Sequence, residues 1–349
     1  MAFQWVRAVT LTTATVSLAA GVLFSSPVLA ATTAVCKSHP ATTACKSAAK
    51  KTDSNTAAKA RKGHAVGKSA AKGKKGKKVA RRAISPEALL AAVSTSPGGN
   101  DAAALRSTTA FVQDMHTSTV LFAKNENVVR PIASISKLMT ALVVLDAHQP
   151  MDDMIEVTDD DIDMLKHTSS RLPVGARLSR NDMLHLALMA SENRAANSLG
   201  RNYPGGLPAF VAAMNAKARS LGMINTHFIE PTGLSSENVS SPQDLALLLR
   251  AASQQPLIHQ YTTASDYTVQ VKSRMVTFRN TDMLVRRPDW DIRVSKTGFI
   301  NEAGQCLVMM ARIEGHDMAI VLLDSHGTLS RIGDAVRIRR ILERQIAML

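Results

Sequence analysis

The sequence predicts an α+β domain, in which one antiparallel sheet flanked by helices is built from both ends of the domain and an all-helical lobe is inserted beside it. Three observations lead there. Short strand candidates at 109–113 and 119–123 flank a turn near His116. A mainly helical section of well over a hundred residues follows. Strand texture then returns at 274–278, 292–300, 305–313 and 318–324, and the short turns at 301–304 and 314–317 favour antiparallel neighbours. A cleft between lobe and sheet is where chemistry is expected.

The N-terminus comes first. Arg7, an apolar run over 8–24 and the small residues around Ala30 suit an exported chain cut after Ala30, giving a periplasmic protein. A retained membrane anchor is the competing reading, but the run contains five Thr or Ser and falls short of the ~20 apolar residues that a spanning helix needs. Val35 stands where a lipidated Cys36 would need a small neighbour. The expected organisation is a signal peptide over 1–30, a basic Lys/Ala-rich linker over 31–82 and a catalytic domain over 83–349.

Charge is localised. The formal balance of +14 is concentrated in residues 37–82, which hold fifteen Lys or Arg against the single acid Asp53, whereas 26 basic and 27 acidic residues follow from Ala83 onward. The high isoelectric point therefore describes a tail that has too few large apolar residues to fold. After export its partners would be an anionic wall polymer or membrane surface, with contacts that weaken as salt rises, or it is a solvated spacer; no nucleic acid is expected. Cys36, Cys45 and Cys306 form no paired spacing that would indicate zinc or a disulfide framework. Cys36 and Cys45 could pair in an oxidising compartment, and Cys306 reads as a buried small hydrophobe.

Within the domain, residues 87–93 could start a helix, and the run from Ile132 to Leu145 is apolar enough all round to be a buried one. Helical patterns recur at 182–199, 207–221 and 242–252, separated by the turn signals Tyr203-Pro204-Gly205-Gly206 and Pro231-Thr232-Gly233. The last stretch, 330–349, places Ala335, Ile338, Leu342 and Ile346 on one side, which suits a helix covering the sheet better than one lying on a membrane.

Chemistry is concentrated in three motifs. Ser134 and Lys137 form S-x-x-K at the start of the buried helix, where spacing of three places hydroxyl and amine on one face. A serine needs a base, and a lysine can be that base only where burial or cationic surroundings depress its pKa. The motif alone is weak, because Ser47 to Lys50 and Ser69 to Lys72 repeat it inside the basic tail. The company of Ser134 is what separates it: Ser191-Glu192-Asn193 after an apolar helical run, and Lys296-Thr297-Gly298, found once, inside a strand candidate. A second Ser-Glu-Asn, at Ser236 to Asn238, sits in a polar loop and serves as a chance control.

This set resembles the S-x-x-K, S-D-N and K-T-G signature of penicillin-binding proteins and class A β-lactamases, with Glu192 as a departure at the centre of the second motif. The segments His167-Thr168-Ser169-Ser170-Arg171-Leu172-Pro173-Val174-Gly175 and Glu230-Pro231-Thr232-Gly233-Leu234 look like the low-molecular-mass D-alanyl-D-alanine peptidases, in particular the endopeptidase branch related to penicillin-binding protein 7. The resemblance implies the penicillin-binding-protein/β-lactamase-like transpeptidase fold and hydrolysis of D-Ala peptide bonds in peptidoglycan stems, with β-lactams as covalent inhibitors. It implies Ser134 as nucleophile, Lys137 as base, and Ser191 as proton relay held by Lys137 and Lys296. Asn193 would contact substrate or Lys137; Lys296, Thr297 and Gly298 would bind substrate, and the backbone N–H groups of Ser134 and Phe299 would form the oxyanion hole. No cofactor or metal is implied.

No Walker loop, H-E-x-x-H or G-x-S-x-G element competes. Within acyl transfer, the sequence favours cutting a cross-link over removing a terminal D-Ala, because only about 25 residues follow the last strand candidate, too few for the added β-rich domain of carboxypeptidase relatives. A β-lactamase would need a carboxylate to activate water, and Glu230 reads as part of a turn. A non-catalytic penicillin-recognising wall protein and a polyanion binder driven by the tail are the rivals from other classes.

Overall fold

The computed structural model describes residues 104–327 and 329–346. The expected signal peptide, linker and helix at 87–93, and the cysteines Cys36 and Cys45, lie outside the described residues.

In chain order the strands are β1 (Ser107–Asp114), β2 (Val120–Lys124), β3 (Arg130–Pro131), β4 (Met154–Glu156), β5 (Arg177–Ser179), β6 (Val239–Ser240), β7 (Asp266–Val271), β8 (Arg274–Arg279), β9 (Asp291–Ile300), β10 (Gly304–Ile313) and β11 (His316–Ser325). The helices are α1 (Ser136–Asp146), α2 (Arg180–Met189), α3 (Asn193–Arg201), α4 (Gly206–Ser220), α5 (Pro242–Ser253), α6 (Pro256–Thr263) and α7 (Ser330–Ile346). Five strands form one antiparallel sheet in the order β2-β1-β11-β10-β9, so the first and last strands of the described chain meet in one layer, with Phe111 opposite Val321. The α+β expectation holds.

The sheet reads as a near-continuous apolar run because it is covered on both faces. Period-two alternation sorts its side chains. Leu307, Met309 and Ala311 of β10 and Ile320 and Leu322 of β11 join a cluster with Ile332, Ala335, Ile338 and Leu342 of α7. Cys306, Val308, Met310, Ala319 and Val321 face the other way, into a larger cluster with the inserted helices. The final helix thus covers the sheet, as its apolar side predicts. Asp334 pins it, accepting the Ser107 N–H at 2.7 Å and the Ser107 hydroxyl at 2.6 Å.

Two differences from the sequence reading bear on the site. The helical pattern at 182–199 is two helices, because Ser191 adopts φ +59 between α2 and α3. The start of the buried helix is a 3-10 turn over Ala133–Ile135, entered through a left-handed Ala133 at φ +49, before α1 begins. Left-handed non-glycine residues cost free energy, and such strain collects at functional sites.

Candidate active site

The Ala133–Ile135 turn lifts Ser134 onto the end of α1, while that helix is buried on all sides from Ser136 to Val144. Lys137, one turn on, is fully buried beneath it. Its Nζ lies 2.9 Å from Ser134 Oγ, 2.8 Å from Asn193 Oδ1 and 2.6 Å from the Thr232 carbonyl. Burial pushes the ammonium down to about 7, against the opposing pull of the Glu230 and Glu192 charges. A protonated amine fills all three contacts as a donor. When neutral it gives its two N–H groups to the carbonyl oxygens of Asn193 and Thr232, and its lone pair is left facing the Ser134 O–H.

The opposite wall is β9, the edge strand of the sheet. A bulge at Arg293 of β9, opposite Met310 and Ala311 of β10, resets the register, so that Ile292 joins the cluster under the last helix while Val294 faces the helical lobe, with Lys296 two residues on. Lys296 is almost fully buried and donates to Ser191 Oγ at 2.9 Å and to the Thr297 carbonyl at 2.8 Å. Burial first, then the charges of Lys137 and Arg331, hold it well below the usual lysine range. Thr297 donates its hydroxyl to Thr281 Oγ1 at 2.6 Å. A Cβ on Gly298 would meet the Ser134 amide nitrogen at 3.1 Å, so glycine is what allows the strand edge to run beside the Ser134 turn.

Six of the predicted residues, Ser134, Ser191, Asn193, Thr297, Gly298 and Phe299, line one cleft of about 420 Å³, and Lys137 and Lys296 lie under its floor. Three motifs more than fifty residues apart in sequence therefore converge. Lys137 donates to Asn193, one of the two contacts expected of that residue, and one detail differs: Ser191 is held by Lys296 and not by both lysines. The control motif has a separate task, since Asn238 accepts the Ile229 N–H and donates to Ser136 Oγ. The tail copies Ser47 and Ser69 lie outside the described residues.

The departure at the middle of the second motif has a physical account. The buried Glu192 carboxylate accepts the Ser170 hydroxyl at 2.7 Å and pairs with Arg171 at 3.4 Å, tying the loop over 167–175 to the Ser191 turn. Arg171 also stacks over Phe278.

Sequence reasoning missed several parts. Glu230 builds the turn it was read as: its carboxylate accepts the N–H groups of Thr232 and Gly233 at 2.6 Å and that of Ser235 at 3.3 Å, and the Thr232 hydroxyl. That turn presents the Thr232 carbonyl to Lys137. Arg331 of α7 lines the cleft and donates to the Gly298 carbonyl at 2.8 Å. Asp282, buried and bonded to Ser295, is pushed up by burial and braces β9 from behind. Lone Arg, Glu and Asp residues carry no spacing signal that could have singled them out. Cys306 is buried with its thiol pushed up to about 11, an inert hydrophobe as expected. Among the described residues no group of three or more His, Cys, Asp or Glu is placed to hold a metal, and no helix is long and apolar enough to cross a membrane.

Comparison with known proteins agrees with this geometry. The peptidase S11 family model, described as D-alanyl-D-alanine carboxypeptidase, matches residues 94–327. The D-alanyl-D-alanine endopeptidases of Pseudomonas aeruginosa and Escherichia coli are 49% and 48% identical over 241 residues, covering 68% of this chain and 78% of each relative. The solved DD-transpeptidase of Streptomyces K15 superposes with a TM-score of 0.63 at 26% identity, over 68% of this chain and 96% of that one. The match spans the sheet, the lobe and the cleft between them, and the chain belongs to the peptidase S11 family of serine D-alanyl-D-alanine peptidases.

Proposed function

We propose that this chain is a D,D-endopeptidase that hydrolyses the D-Ala peptide cross-links of peptidoglycan through an acyl-enzyme on Ser134, outside the cytoplasm and in the periplasm. The observation that carries the reading is the fully buried Lys137, held near neutrality and 2.9 Å from Ser134 Oγ. Ser134 Oγ attacks the carbonyl carbon and its proton passes to Lys137. The backbone N–H groups of Ser134 and Phe299 receive the developing oxyanion. As the C–N bond breaks, Ser191 passes a proton to the leaving amine and is resupplied along Lys296. Water then attacks the ester, its proton passing through Ser191 to Lys296, while Lys137 returns its proton to Ser134 Oγ as the acid leaves.

Arg331 with Thr297 and Thr281 gives the β9 side of the cleft a positive and hydroxyl-bearing character that suits a peptide carboxylate, and the free edge of β9 suits an extended substrate. β-Lactams would acylate the same serine. The endopeptidase relatives, at 48–49% identity, support cross-link cutting over removal of a terminal D-Ala, since the carboxypeptidase relatives share about 30%. The bound state of Glu230 argues against a β-lactamase. The basic residues over 37–82 would contact anionic wall or membrane polymer.

The test is to incubate the protein, and a Ser134→Ala control, with a cross-linked muropeptide dimer and weigh the products. Monomers from the wild type alone support the reading. Loss of only a terminal D-Ala moves the assignment to carboxypeptidase, and no product from either leaves a non-catalytic wall protein.

A further inference from the structure

We infer that Asp282, buried behind β9, is a positioning residue for proton delivery, its charge keeping on Lys296 the proton that Ser191 passes to the leaving amine. The inference rests on the roles just given to Ser191 and Lys296.

Ser191 and Lys296 stand 105 positions apart, and the 2.9 Å bond between them has to be held from outside both motifs. The turn over 280–284 does this. Asn280 anchors it, donating its backbone N–H to the Ser265 carbonyl at 2.9 Å and its side-chain amide to the Thr262 and Ala264 carbonyls at 2.9 and 2.8 Å. From that anchor the Thr281 N–H reaches the Met189 carbonyl at 3.1 Å, two residues before Ser191. Asp282 accepts the Ser295 hydroxyl at 2.6 Å and Thr281 accepts the Thr297 hydroxyl at 2.6 Å, so the same turn grips β9 on either side of Lys296.

Charge adds to geometry. Asp282 is almost fully buried, and its two carboxylate oxygens accept from Ser295 and from the Leu284 N–H at 2.9 Å. Those donors favour its ionised form against the burial that pushes its pKa up. Facing it are the cations Lys296 of β9, Arg286 of the adjoining 3-10 turn and Arg331 of α7. Burial, Lys137 and Arg331 all drive the proton off Lys296, and the Asp282 charge opposes them. The base answers to other carboxylates, since Glu230 and Glu192 are what raise Lys137.

Acylation needs the two lysines in opposite states: Lys137 neutral to take the Ser134 proton, Lys296 protonated to resupply Ser191. Separate counter-charges allow that. As the C–N bond breaks, the amine takes the Ser191 proton, Ser191 takes one from Lys296, and Lys296 is left neutral. The proton of the attacking water then recharges it.

The test varies the leaving group. An amide nitrogen departs only when protonated, whereas a thiolate, the anion of a group with a pKa near ~8.5, departs without a proton. Full-length protein in excess is mixed with a D-Ala peptide amide and with the thioester of the same acyl portion, so that a single release of amine or thiol is followed. Asp282→Asn keeps the size, can keep both hydrogen bonds and loses the charge. It should slow amine release by about tenfold or more, out of the roughly 10²–10⁴ that positioned proton transfer contributes, and leave thiol release within about twofold. Ser295→Ala removes a donor that favours the charged form of Asp282, and should slow amine release selectively but less, which keeps the inference testable if Asp282→Asn does not fold. Equal slowing of amine and thiol release in the folded variants, or no change in either, would overturn the inference and leave Asp282 a brace. A wild type that releases neither product would sink the Ser134 assignment itself, and the inference with it.

Discussion

Replacing Gly233 by alanine tests how tightly the nucleophile is held. Gly233 has φ +80, and a Cβ there would lie 1.9 Å from the Ala133 carbonyl oxygen and 2.7 Å from the Ser134 amide nitrogen. The left-handed backbone alone costs an alanine roughly 1–2 kcal/mol. Relieving the overlap forces apart the Glu230 turn and the Ser134 turn, an overpacking cost of about 1–3 kcal/mol. A total near ~3 kcal/mol corresponds to a fall of about 6–12 °C in Tm for a domain of this size. The same displacement moves Ser134 relative to Lys137, and a shift of ~1 Å at a reacting group costs on the order of a hundredfold in rate. Gly315 is the control: its φ is +83, yet nothing lies within 4 Å of a Cβ built there. Gly315→Ala should lose only the backbone contribution, a few degrees, and keep its rate. The assay is thermal unfolding alongside acylation by a fluorescent penicillin. A Gly233→Ala protein as stable and as fast as Gly315→Ala would refute the reasoning.

Further expectations concern pH, charge and the last helix. Acylation should rise with pH through a midpoint near 7, where Lys137 loses its proton, and a flat profile from pH 5.5 to 8.5 would contradict its role as base. Because the unfolded chain keeps that lysine protonated up to about 10.4, it binds more protons than the fold between about pH 7 and there, so stability rises with pH across this window. Lys137→Met should shrink that rise, as read from urea midpoints at several pH values. Glu230→Gln removes a charge that raises the Lys137 pKa, so the acylation midpoint should move to lower pH, and an unmoved midpoint would count against the electrostatic account. Asp334→Ala strips the fully buried partner of Ser107 and Arg337 from α7, and should cost about 3 kcal/mol or more, visible as a fall in Tm.

What the sequence disclosed depended on how local each signal was. The S-x-x-K pair was legible because three positions along a helical turn set one distance, and the Lys296-Thr297-Gly298 strand because alternation and short turns bound β9 to β10. The bend at Ser191 was not, since residues 182–199 keep helical periodicity straight through it and only a left-handed serine, held where Glu192 reaches Ser170, breaks the run. The short pair β4 and β5 and the helix α6 also escaped, being too brief for a period to show. Glu230 could be read as a turn residue, but its service to Lys137 through the Thr232 carbonyl is a contact across 95 positions that no pattern encodes. Arg331 escaped for the same reason, because it reaches the Gly298 carbonyl from a helix whose apolar side alone was visible in sequence.

The most direct test of the central claim is the mass of the protein after brief treatment with a β-lactam at pH 7.5, followed by peptide mapping. The account predicts one added β-lactam on the peptide carrying Ser134, no adduct in Ser134→Ala, and an adduct that forms far more slowly in Lys137→Met. An adduct on Ser191 or elsewhere, or one that survives in Ser134→Ala, would contradict it.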